Sequence, residues 1–270
     1  MQSNQQKMTG TANYVLTGFF SPTSGRRING CRVRRIFFRF ISLTLSLVLT
    51  MPVFSQLGTW NIVNVKVKIN DRWSYFVESQ MRSLSFYRNM NYYEIKGMAA
   101  FSINPNVQAG AGLGSYNTFQ NEGNFTKPMI NREFRTWQQL ILRHNAGRLK
   151  MEHRYRAEQR FTSNGYRNRF RYRFNLALPI NTREVTTGTF YLMTWDEIFL
   201  NNRAPVFERN RFFAGCGYEL TTSTAVQGGF LSQFDYSTTA SSVRKYLQLS
   251  LLFSLNAKKE KNWFRQGVPD

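Results

Sequence analysis

Cysteine is nearly absent from this 270-residue chain, which holds only Cys31 and Cys216. Two residues so far apart make neither a disulfide scaffold nor a cysteine-based zinc site. Histidine is as scarce, at His144 and His153, so a histidine-rich metal centre is not expected. Neither a metal site nor a cofactor motif is expected: Gly110, Gly112 and Gly114 superficially suggest a phosphate loop, but no Lys-Ser/Thr pair or helix follows. Acidic residues number 15 against 36 Lys and Arg. No long amphipathic helix can be drawn, and beyond residue 55 no apolar run is long enough for a membrane-spanning helix. What the chain does have is aromatic: 16% Phe, Trp and Tyr, which excludes disorder for most of its length. A hydrophobic fraction of 42% is slightly low for a globular protein, and the length suits one large domain or two small ones.

Residues 34–55 have the anatomy of a secretory signal peptide. Arg34, Arg35 and Arg39 precede an apolar stretch from Phe40 to Val53, and Val53-Phe54-Ser55 suits cleavage after Ser55. A membrane anchor would need about 20 apolar residues, and Arg39 and Pro52 bound a shorter run. Cys31 lies before the apolar run and none follows it closely, which argues against a lipoprotein. The polar leader at 1–33 is long for a signal peptide and points to a translation start downstream, near Val33. Removing 1–55 takes away Lys7, Arg26, Arg27, Arg32, Arg34, Arg35 and Arg39 and no acid, so the net charge falls from +21 to +14. Residues 56–255 then form one domain, and 256–270 a polar tail.

From Trp60 onward the pattern repeats every two residues, the signature of strands. Eleven such segments can be drawn. In 166–178, Tyr166, Phe170, Tyr172, Phe174, Leu176 and Leu178 share one face, and Arg167, Arg169, Arg171 and Arg173 the other. In 149–161, Glu152, Arg154, Arg156, Glu158 and Arg160 oppose Leu149, Met151, Tyr155 and Phe161. Segments of about 10–13 residues exceed the usual soluble strand of about 5–6. At about 3.3 Å per residue and a tilt near 45°, eleven residues span roughly 25 Å, the height of a lipid-facing apolar band. The predicted fold is therefore all-β: an up-and-down antiparallel transmembrane β-barrel of 10–12 strands with an Arg/Glu-rich lumen. Trp60, Trp73, Tyr116, Phe161, Tyr166 and Phe253 are candidates for interfacial girdles. An odd count of eleven is unusual for a single-chain bacterial barrel.

An arginine facing lipid near the midplane would cost about 2–4 kcal/mol, so the charged faces must point inward. The candidate site is that charge ladder: Arg135, Glu152, Arg154, Arg156, Glu158, Arg160, Arg167, Arg169, Arg171 and Arg173. Reading Asn164-Gly165 as a type I′ turn places Glu158 opposite Arg171, and a turn at Ala146-Gly147 places Arg135 opposite Glu158. A lateral Arg135–Glu158–Arg171 strip is the sharpest structural expectation. Gly110, Gly112 and Gly114 are expected on the inner face, giving room to large side chains.

The stretches Arg132–Gln139, His153–Arg160, Arg169–Arg173, Asp196–Phe199 and Asn210-Arg211 resemble the outer-membrane barrels grouped as domain of unknown function 2490, common in Bacteroidota. The likeness covers most of 58–255. It implies an envelope barrel with no established activity and supplies no catalytic residues.

Function is weighed among three classes. A barrel lipase or other lipid-modifying enzyme needs a nucleophile, a base and an orienting group within reach. Here His153 falls on the outer face, His144 near a turn, and Asp196 and Glu197 on opposite faces, so no enzyme is expected. A nucleic-acid binder would share aromatics and arginines on one face, whereas here they are opposed. A soluble periplasmic lipocalin-like barrel is the alternative, with its apolar residues turned inward around a ligand. The reading adopted is a monomer in the outer membrane of a Gram-negative bacterium, structural or a narrow pore. Its expected partners are outer-membrane lipid, the barrel-assembly machinery and a small anionic solute.

Overall fold

The computed structural model describes residues 57–121 and 124–255. The segments read from the sequence as a leader, a signal peptide and a C-terminal tail lie outside the described residues. Eleven strands follow one another: β1 (Leu57–Lys68), β2 (Trp73–Ser85), β3 (Arg88–Asn104), β4 (Val107–Phe119), β5 (Met129–Ala146) and β6 (Leu149–Thr162). They continue with β7 (Gly165–Pro179), β8 (Phe190–Asn201), β9 (Phe207–Glu219), β10 (Thr224–Asp235) and β11 (Ser242–Leu255). Each pairs with its sequence neighbours, and the sheet closes into a barrel through β1 and β11.

The count of eleven is correct, and the closure explains how it works. Strands that alternate in direction leave the first and the eleventh running the same way. The seam is parallel, from Leu57 opposite Lys245 to Val67 opposite Leu255. The expectation of an antiparallel barrel thus holds at every junction but one. A near end, where β1 starts, and a far end, where β11 stops, follow from this. Two-residue turns occur at both: 86–87 and 163–164 at the near end, 105–106 and 147–148 at the far end. Turn length therefore does not distinguish the ends.

Burial follows the strand period with charge inside. In β6 the even residues from Lys150 to Arg160 are all buried, and Tyr155 and Phe161 on the other face are exposed. In β7 the odd residues from Arg169 to Ala177 are buried, and Phe170 is 51% exposed. Ile95, Leu113, Leu192 and Phe230 are likewise outward and exposed. On the outer face near the near end, rings meet across strands: Tyr93 with Phe119 and Phe125, Phe161 with Phe134 and Tyr166, and Phe207 with Phe234 and Tyr236. Trp73 meets Phe101 near the far end. Two expected girdle residues lie elsewhere: Trp60 and Tyr116 point into the lumen, 0% and 3% exposed. Both fall on the inward-facing even positions of their strands, so their ring type was a poorer guide than their parity.

The lumen is packed. Trp60, Ile62, Tyr191, Met193, Trp195, Phe213, Leu231 and Tyr246 form one apolar cluster, joined by Val185 from the loop between β7 and β8. That loop, at the far end, turns Val185 and Thr189 inward. Its carbonyls at Ile180 and Thr182 accept from the Arg148 guanidinium at 2.8 Å, so a residue of the β5–β6 turn holds the loop in place. The glycines of β4 face inward as expected. A Cβ on Gly112 would collide with the Trp137 indole, and one on Gly114 with Lys96.

Candidate functional site

All ten residues of the expected ladder point into the lumen. Nine are buried, and Arg167, nearest the mouth, is half-buried. The register of the two hairpins that carry them differs from expectation by two residues. Glu158 stands opposite Arg169, not Arg171, and Arg135 stands opposite Arg160, not Glu158. The cause is turn chemistry. Gly165 has φ +102° while Asn164 does not have positive φ, and Thr162 pairs with Gly165. The turn residues are Ser163 and Asn164, closed by a left-handed glycine, and neither has the positive φ that the type I′ turn read from Asn-Gly requires. In the other hairpin Gly147 (φ +59°) is the first of two turn residues, followed by Arg148. A slip of two preserves the faces, where a slip of one would have reversed them.

The expected triad is nevertheless assembled, diagonally rather than laterally. Arg171 Nη1 lies 2.6 Å from Glu158 Oε1, and Arg135 Nη1 3.8 Å from Glu158 Oε2. Arg156 and Arg169 also approach Glu158, at 3.6 and 3.7 Å. The side chains are long enough to span the rung that the backbone shift introduced.

A second carboxylate, outside the expected ladder, completes the centre. Glu197 on β8 takes Arg154 at 2.7 Å, Arg171 at 2.8 Å and Arg173 at 2.9 Å. Arg171 thus bridges Glu158 and Glu197, both 0% exposed. A buried carboxylate is tolerable only when paired and hydrogen-bonded, and these two are enclosed by guanidinium groups. Arg143 binds Glu152 at 2.9 Å. Lys96 lies between Glu78 at 2.7 Å and Glu94 at 2.9 Å, and Glu94 also takes Arg82 at 3.1 Å. Alternation in β2 and β3 carried the signal for Glu78, Arg82, Glu94 and Lys96, but their sparser charges did not stand out.

Glu208 could not be found by alternation. The ladder between β8 and β9 shifts so that Phe199 pairs with Arg209 and Leu200 with Phe207, leaving Glu208 as the extra residue of a bulge. A bulge re-aims a side chain. Glu208 and its neighbour Arg209 consequently both face the lumen. Glu208 pairs with Arg169 and Arg160, and Arg209 with Asp235.

Cations still outnumber acids, and aromatic faces hold the surplus in place. The Arg82 guanidinium lies 3.4 Å from the Trp60 ring centre and that of Arg173 4.1 Å from Trp195. Arg211 sits 4.8 Å from Trp60 and 4.7 Å from Phe199. Toward the near end Arg82, Arg211 and Phe199 line, with others, a chamber of about 280 Å³. Its wall holds nine arginines and Lys96 against Glu94, Glu133 and Glu208, a formal excess of seven positive charges.

The outer face carries the other candidates. His153 stacks on His144 with ring centres 5.1 Å apart, and its Nδ1 is 2.8 Å from the Tyr172 hydroxyl. Asp196 accepts from Asn210 Nδ2 at 3.0 Å on the outer face, while Glu197 faces inward, as their adjacency predicts. Among the described residues no group of three or more His, Cys, Asp or Glu is placed to hold a metal ion.

Neither the curated proteins nor the solved structures contain a match to this chain. A family model does match residues 57–244, from the first residue of β1 into the start of β11. The chain belongs to that family, described as protein of unknown function (DUF2490).

Proposed function

We propose that this chain is a monomeric outer-membrane β-barrel of a Gram-negative bacterium, exported through a signal peptide at 34–55 and inserted by the barrel-assembly machinery. It serves as a structural barrel or a narrow, largely filled path rather than an enzyme. The observation that carries the reading is the inverted burial. Glu158, Glu197 and Arg173 are at most 2% exposed inside, while Ile95, Leu113, Phe170 and Phe230 stand more than half exposed outside. In water that arrangement leaves uncovered a belt of large apolar side chains to which every strand contributes, where soluble monomers expose only limited patches. In a bilayer the same belt meets hydrocarbon and the charges stay away from it. A lipocalin-like barrel would need the opposite arrangement, apolar residues in and charges out.

Strand length agrees. The shortest strands have 12 residues, which at about 3.3 Å per residue and a 45° tilt cover roughly 28 Å. The ring contacts on the outer face near the near end suit an interfacial girdle. Membrane fractionation with electrophoresis of unboiled and boiled samples tests the proposal. Recovery with the outer membrane and a heat-dependent mobility shift is expected. Recovery in the soluble periplasm would overturn it.

A further inference from the structure

We infer that the arginine chamber at the near end is a binding site for a phosphate-bearing anion. The inference rests on the closed barrel alone and holds whether lipid or water meets the outer face. Its centre is Arg211, which is 4% exposed and has no carboxylate within ion-pair distance among the described residues. Its Nε donates to Gln233 Oε1 at 2.9 Å, and its guanidinium lies over Trp60 and Phe199. These contacts fix the plane of the group and leave its two terminal nitrogens without a protein acceptor. A buried cation in this position needs a counter-charge, and the protein places none beside it.

Two further arginines of the same wall have no acidic partner among the described residues: Arg167, half-buried, and Arg244, exposed at the mouth. Arg169 and Arg209, by contrast, are already engaged by Glu208 and Asp235. The site thus combines a fixed guanidinium at depth with two less buried ones toward the opening. Guanidinium forks match the oxygens of phosphate in pairs, which a halide cannot exploit. Once Glu78, Glu158, Glu197 and Asp235, which pair with cations of this wall, are counted with its own acids, an excess of three positive charges remains. That excess favours a ligand carrying at least two negative ones. A volume of about 280 Å³ lies at the small end of ligand pockets, so the chamber takes a phosphate or diphosphate head and not a whole lipid.

The test uses the full chain in detergent and measures binding by calorimetry with pyrophosphate, inorganic phosphate and phosphatidic acid in mixed micelles. Ionic strength is held constant with chloride. Saturable binding is expected, weakened about tenfold or more by Arg211→Gln, as the loss of one charge-assisted contact implies. Arg183→Gln, exposed on the loop at the far end, is the control and should bind as the parent does. Should Arg211→Gln fail to give a heat-modifiable barrel, the double variant Arg167→Gln, Arg244→Gln decides, because both residues lie toward the mouth. Tighter binding of pyrophosphate or phosphate identifies a free anion, and binding of phosphatidic acid alone identifies a lipid headgroup. Absence of saturable binding to all three probes, or equal affinity in the parent and the lumen variants, overturns the inference.

Discussion

At the scale of single residues, the interior is organised by a few carboxylates, each serving several arginines. Glu158 has four guanidinium groups within ion-pair distance, and Glu197 has three. Such centres are asymmetric in energy. Replacing a whole buried network with apolar residues can be neutral, but removing one partner leaves uncompensated charge at a cost of about 3–5 kcal/mol. Glu158→Gln keeps the shape and removes the charge, so it should destabilise the folded barrel by about that amount. Urea unfolding followed by tryptophan fluorescence measures it, with Trp137 directly opposite Glu158 as a reporter. A change below about 0.5 kcal/mol would mean that the surrounding arginines are held by their aromatic stacking alone.

At the scale of strands and hairpins, alternation made the fold legible and turn geometry limited it. Eleven segments, their faces and the inward glycines of β4 could be read directly, because period two is the same whatever the register. Register itself depended on which two residues occupy each turn, and Asn164-Gly165 adopted a less obvious conformation than its dipeptide suggests. The bulge at Glu208 breaks the period, so a lumen carboxylate was hidden in a position that alternation assigns to the outer face. The parallel seam was not legible either, since no local pattern says which strands close a barrel. It can be tested in a chain whose Cys31 and Cys216 are replaced by Ser. Val63→Cys with Leu251→Cys puts two outward thiols on paired positions of β1 and β11. Mild oxidation should join them and speed the migration of the boiled, unreduced protein. No cross-link there would imply a different closure.

At the scale of the whole molecule, the two ends of the barrel are unlike. The near end holds the arginine chamber. Toward the far end the lumen is filled by Trp195, Tyr191 and Val185, with the last supplied by a loop clasped by Arg148. A strand count that by itself would leave room for a path is therefore offset by inward aromatic rings and a folded-in loop. Reconstituted in a planar bilayer, the protein should give little or no steady conductance. Replacing residues 182–188 with a short Gly/Ser/Asn turn removes Val185 from the lumen along with the carbonyl of Thr182 that Arg148 holds. The variant should conduct, with anions favoured over cations because the arginines of the remaining lumen set the field. Steady current through the parent chain would show that the side chains leave a continuous path. A silent variant that still shows the heat-dependent shift would place the block at the aromatic cluster itself, below the loop.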